Sequence, residues 1–166
     1  MSMLKSLGTV KVRSSMDRVS FEAAATYLVQ VTKVEEFTTR KKVEATRLSF
    51  IVLEVEADPT GGALSPGQEP EIALYDDEWG RGVKSLLQFA MVSHGLTEKQ
   101  TNSLTEADFD KWYETGAFEG IVLRLEIVAK AWQDKESGRE ATFYNPKFKA
   151  KIDKRKLSKT AKEHML

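Results

Sequence analysis

"GIVLRLEIVAKAWQDKESGREATFYNPKF", residues 120–148, decides the fold. Its first thirteen residues alternate strictly. Ile121, Leu123, Leu125, Ile127, Ala129 and Ala131 line one face, and Val122, Arg124, Glu126, Val128, Lys130 and Trp132 line the other. A period of two is the signature of a strand with one buried face. "QDKESGRE" then supplies a Gly-containing turn, and "ATFYNPKF" returns as a second strand. Trp132 falls on the parity opposite the apolar row, which marks it as the aromatic that faces outward. Phe143 and Tyr144 are adjacent, so they point to opposite faces, one into a core and one out of it. Spacing alone leaves both assignments open.

Upstream, "ATYLVQVTKVEEF" (25–37) and "ATRLSFIVLEVEA" (45–57) read as two strands joined by the basic turn "TRKK", a long hairpin. "DPTGGALSPGQEP" (58–70) is a loop by its Gly and Pro content, and "EIALY" (71–75) is a short third strand. "VKSLLQFAMVSHG" places Val83, Leu86, Leu87, Ala90 and Met91 at helical spacing, with Gly95 to stop the helix. In "SLTEADFDKWYETG" the Thr105-x-x-Asp108 pair predicts a capped second helix carrying Phe109, Trp112 and Tyr113. The order is β-β-β, helices, β-β. We therefore expect a mainly β domain with helices: an OB-fold-like five-stranded barrel, the helices inserted between its third and fourth strands. A generic α+β sheet is the competing architecture. The boundaries expected are an N-terminal arm over 1–20, the OB-like domain over 21–148, and a basic C-terminal tail over 149–166, either a solvated helix or disordered.

At 166 residues the chain is long enough for one domain with a core of its own. It has no cysteine, which removes disulfides and thiolate metal sites. Its formal net charge is zero only by cancellation. Residues 54–78 hold eight acids and no base, whereas residues 145–166 hold eight bases and two acids. No run approaches the length of a bilayer span, and the N-terminus lacks the apolar core of a secretory leader. A soluble protein of a reducing compartment, without membrane partners, is the expectation.

Enzyme signatures fail one by one. There is no phosphate-cradling GxxxxGK[ST], no G-x-S-x-G elbow, and the two histidines, His94 and His164, lie far apart. Asp76, Asp77 and Glu78 form an acidic trio, but adjacent carboxylates in extended chain diverge, so a solvated turn is the plainer account. His94 lies in line with its helix's apolar face and reads as a packed or capping residue. No catalytic residue, cofactor or metal is expected.

Single-stranded nucleic acid is held by a basic groove together with aromatic faces on which bases stack. The outward face of 120–132 carries both, in Arg124, Lys130 and Trp132. Its hairpin adds Lys135, Arg139, Phe143, Tyr144 and Lys147. Further candidates are the turn Arg40, Lys41 and Lys42, then Arg47, and Trp79 with Arg81 and Lys84. Each basic residue taken singly is an ordinary solvated side chain; the combination with an OB-like order points to binding.

The run from "TTRKKVEATRLSFIVLEVEAD" through "LSPGQEPEIALY" and "VKSLLQFAMVSHGL" to "GREATFYNP" resembles a group of tailed-phage proteins encoded with replication and recombination genes. These look like OB-fold single-stranded DNA-binding proteins, and the likeness covers roughly residues 25–148. It implies a non-catalytic role in coating single strands in the cytoplasm of a bacterial host. Arg40, Lys41, Arg47, Lys130 and Trp132 would be the groove residues, and phage or host replication proteins the partners. The basic tail departs from the acidic tails by which many such proteins recruit others, and fits direct contact with nucleic acid. The alternative is a phage structural module that self-associates, the acidic 54–78 block of one copy meeting the basic tail of another.

Overall fold

The computed structural model describes residues 19–166. Most of the arm expected over 1–20 therefore lies outside the described residues. Five strands form one antiparallel sheet in the order β3-β2-β1-β4-β5: β1 (Ala25–Thr38), β2 (Glu44–Ala57), β3 (Glu71–Tyr75), β4 (Val122–Gln133) and β5 (Glu140–Lys151). Between β3 and β4 stand α1 (Arg81–His94), α2 (Glu98–Asn102) and α3 (Glu106–Thr115). A single 3-10 turn (Lys154–Lys156) and α4 (Lys159–Glu163) follow β5. The domain is thus mainly β with helices after the third strand, as expected. None of the described helices is long and apolar enough to cross a membrane.

The local signals act as their chemistry dictates. Thr105 accepts the Asp108 backbone N–H while the Asp108 carboxylate accepts that of Thr105, a reciprocal capping box. Gly95 ends α1 in the left-handed region at φ 63°. The extra helix α2 has its own capping box, Thr97 with Gln100, and was hidden in sequence by its five-residue length, too short to show a period.

The expected closed barrel is not what the sheet forms. Its edges are β3 and β5, which share no ladder, and α1 packs against both of them. Gly82 makes this possible: a Cβ there would stand 1.9 Å from the Tyr75 carbonyl oxygen, so only glycine lets the first turn of α1 approach the end of β3 so closely. Two turns further on, Phe89 is fully buried and fills the space that ladder bonds would have closed. Its ring lies 4.9 Å from Phe118, 5.1 Å from Phe148 on β5 and 6.5 Å from Phe50 on β2. Side-chain packing replaces a fifth ladder there.

The sheet has two covered faces. The inner one carries the main core, including Tyr27, Val29, Val52, Leu123, Leu125 and Phe148. The Tyr27 hydroxyl accepts the Leu64 backbone N–H at 3.0 Å, tying the Gly/Pro-rich loop down. The outer face carries a smaller cluster, Leu28, Ile51, Leu53 and Val122, covered by Leu157 and Ala161 of the C-terminal segment. The tail is neither a free helix nor loose chain. Ser158 caps α4 by accepting the Ala161 N–H, and Leu166 donates its N–H to the buried Gln30 side chain at 2.8 Å.

Candidate nucleic-acid interface

The candidate interface is built on the far half of the β4–β5 hairpin. β1 pairs with β4 only as far as Ala25 opposite Ile127. Beyond that point β4 and β5 continue as a two-stranded arm, pairing down to Gln133 opposite Glu140. Asp134 closes the turn, its carboxylate accepting the Glu136 N–H and the Ser137 hydroxyl while Gly138 takes φ 70°. Those bonds hold the Asp134 carboxyl below its ordinary range.

Cross-strand partners share a face in an antiparallel ladder. Lys130 stands opposite Phe143, Trp132 opposite Ala141, and Glu126 opposite Lys147. Trp132, Lys130, Phe143 and Lys147 therefore lie on one face, while Tyr144, opposite Ala129, lies on the other. The question left open by spacing has an answer: Phe143 joins Trp132, and Tyr144 continues the line of the core face past the end of the core. Trp132 is 51% exposed and Phe143 52%, so two aromatic surfaces flank a lysine that has no carboxylate partner among the described residues.

The same face runs on to the C-terminal segment. Leu28 is opposite Arg124 and Gln30 opposite Val122, so the residues under α4 have the parity of Lys130 and Trp132. Lys154, Lys156, Lys159 and Lys162 are exposed above that patch. Sequence reasoning missed this continuity. Its only trace was Leu157 and Ala161 at i, i+4 behind the capping Ser158.

The remaining candidates divide. Arg124 is engaged, donating to both oxygens of Glu56 at 2.6 and 3.2 Å. Arg47 is also engaged, 3.0 Å from Glu35 and 3.8 Å from Glu71, with its guanidinium 4.3 Å over the Phe37 ring. Lys33 and Arg47 together hold the Glu35 carboxyl below its ordinary range, against the effect of burial. Arg40, Lys41 and Lys42 are exposed on the β1–β2 turn. Near them, Tyr75 pairs with Ala45 and the Asp76 N–H bonds to the Glu44 carbonyl. This brings the start of the Trp79, Arg81 and Lys84 region to that same end. Arg81 bonds to Asp77 and lies 4.8 Å over the Trp79 ring, and Trp79 is 70% exposed. β1 and β4 are antiparallel, and each runs past their shared ladder in its own direction. The Arg40–Lys42 turn and the Trp132 arm thus project from opposite ends of it. Lys135 and Arg139 sit at the tip of the arm. The fifteen candidates form two groups, not one groove.

No protein-family model and no curated protein sequence matches the chain.

Proposed function

We propose that the chain binds single-stranded DNA without catalysis, as a phage protein of replication or recombination, through the outer face of the β4–β5 arm. Trp132 and Phe143 stack bases, and Lys130 and Lys147 meet phosphates between and beside them. The observation that carries this reading is the pair of half-exposed aromatics on one face, with a lysine that has no carboxylate partner among the described residues opposite one of them. With β1 lying between β2 and β4 and the helices after β3, the sheet has the connectivity of an OB barrel opened at its β3–β5 seam. This reading moves the binding surface away from Arg47 and Arg124, whose charges are already answered by Glu35, Glu71 and Glu56.

The test is a titration with oligothymidine, following tryptophan emission as salt is raised. Trp79 is replaced by Phe so that Trp132 and the packed Trp112 are the only emitters. Quenching that weakens steeply with salt is the expected result, since both stacking and counterion release contribute. Absence of binding at low salt would overturn the reading and favour the self-association alternative.

A further inference from the structure

The outer face of the sheet has two positive ends. One is the aromatic arm, where Lys130 and Lys147 share a face with Trp132 and Phe143. The other is the C-terminal segment, whose Leu157 and Ala161 are buried on Leu28, Ile51, Leu53 and Val122. That docking decides where the segment's charges point. The i, i+4 pair faces the sheet, and Lys154, Lys156, Lys159 and Lys162 are left exposed. None of these four lysines is ion-paired among the described residues. Arg155, by contrast, is held by Asp153 at 3.0 Å. The lysines are also fixed in advance. Ser158 caps α4, and the Leu166 N–H is tied to Gln30. A loose basic tail would lose conformational freedom on meeting a ligand, whereas this one loses it on folding.

β4 joins the two ends. Its outward row begins at Val122, under the C-terminal segment, and ends at Trp132 in the arm. That is a contour of about 33 Å at strand rise. Along the way its charges are matched, Arg124 with Glu56 at 2.6 Å and Glu126 with Lys149 at 3.7 Å. At the spacing of about 3.4 Å that nucleotides keep in a duplex strand, about ten nucleotides cover this contour. Ten lies inside the range of roughly 4–16 nucleotides for one OB-sized binding domain. We propose that the docked C-terminal segment is a second phosphate-binding surface for the strand held by the arm. Lys154, Lys156, Lys159 and Lys162 meet backbone phosphates at the far end of β4 from the base stacked on Trp132. The inference rests on single-strand binding by the arm and sets the length of strand that the domain engages. Short strands use the arm alone; longer ones reach both ends.

The test combines Lys154→Gln, Lys156→Gln, Lys159→Gln and Lys162→Gln in the full chain, leaving Leu157 and Ala161 in place. Tryptophan quenching is followed at several salt concentrations with oligothymidines of about four and about sixteen nucleotides, the two ends of that range. On the short strand the variant should match the parent chain. On the long strand it should bind at least about ten-fold more weakly. Its salt slope there should fall by about three units, from four phosphate contacts at about 0.7 each. Equal losses at both lengths would mean a diffuse electrostatic field and would overturn the proposal. So would an undiminished affinity for the long strand. In either case binding of the short strand by the parent chain leaves the arm's role standing, whereas no binding of either length by the parent chain removes both.

Discussion

β5 contributes two phenylalanines five positions apart, and their fates differ completely. Phe148 is 2% exposed, packed against Phe50 and Phe89; Phe143 is 52% exposed. Both sit in the same hairpin with the same partner strand. What separates them is the face each takes and what packs on it. Phe148, opposite Leu125, points into the core beneath α1. Phe143, opposite Lys130, points to the other face on the part of the hairpin beyond the β1 ladder. Identical chemistry therefore serves cohesion at one end and presents a stacking surface at the other.

The sharpest way to break this comparison is to truncate each ring in turn. Phe148→Ala should cost about 3–5 kcal/mol of stability, because it removes a buried ring packed on Phe50 and Phe89. Phe143→Ala should shift a urea midpoint hardly at all; a large shift would mean the arm is part of the core. Gly82→Ala comes next. Its Cβ would collide with the Tyr75 carbonyl, so α1 must move off β3 at a cost of about 1–3 kcal/mol or more. A normal midpoint for this variant would show that the helix does not hold the seam.

On the binding side, Trp132→Ala should lose roughly 1–3 kcal/mol of affinity for oligothymidine, and Phe143→Ala a comparable amount. Tyr144→Ala, on the other face, should lose little. If Tyr144→Ala were the more harmful, the face assignment would be reversed. Lys130→Ala should lower the salt slope by about one unit.

Smaller again is a pH effect. Burial, with the nearby Lys151, lowers the pKa of His94 from the ordinary 6.5, and its ring stacks 4.5 Å from Trp112. A group whose folded pKa is depressed contributes stability above its unfolded pKa and loses it as pH falls through the folded value. Acidification below about 6.5 should therefore destabilise the fold. His94→Phe should flatten that dependence in thermal melts between neutral and acid pH. Smallest of all, Arg124→Ala should cost under about 1 kcal/mol of stability, as an exposed ion pair does. It should leave the salt slope of binding unchanged, since Glu56 already occupies its charge.

The sequence by itself determined whatever depends on neighbours along the chain. The alternation over 121–132 placed Trp132 off the core face, Thr105 and Asp108 announced α3, and Gly95 marked the end of α1. Each rests on a backbone period or a cap spanning three or four residues. The tertiary structure alone decided the rest. Which of Phe143 and Tyr144 joins Trp132 depends on how the two strands register across the Gly138 turn. Whether Arg124 is free depends on Glu56, 68 residues away. The order of three strands, helices and two strands does not say whether the seam closes by hydrogen bonds or by Phe89, because strand order is topology and closure is packing. The tail's place on the outer face follows from a small apolar patch assembled from β1, β2 and β4. No local pattern encodes a surface that exists only once those strands have met.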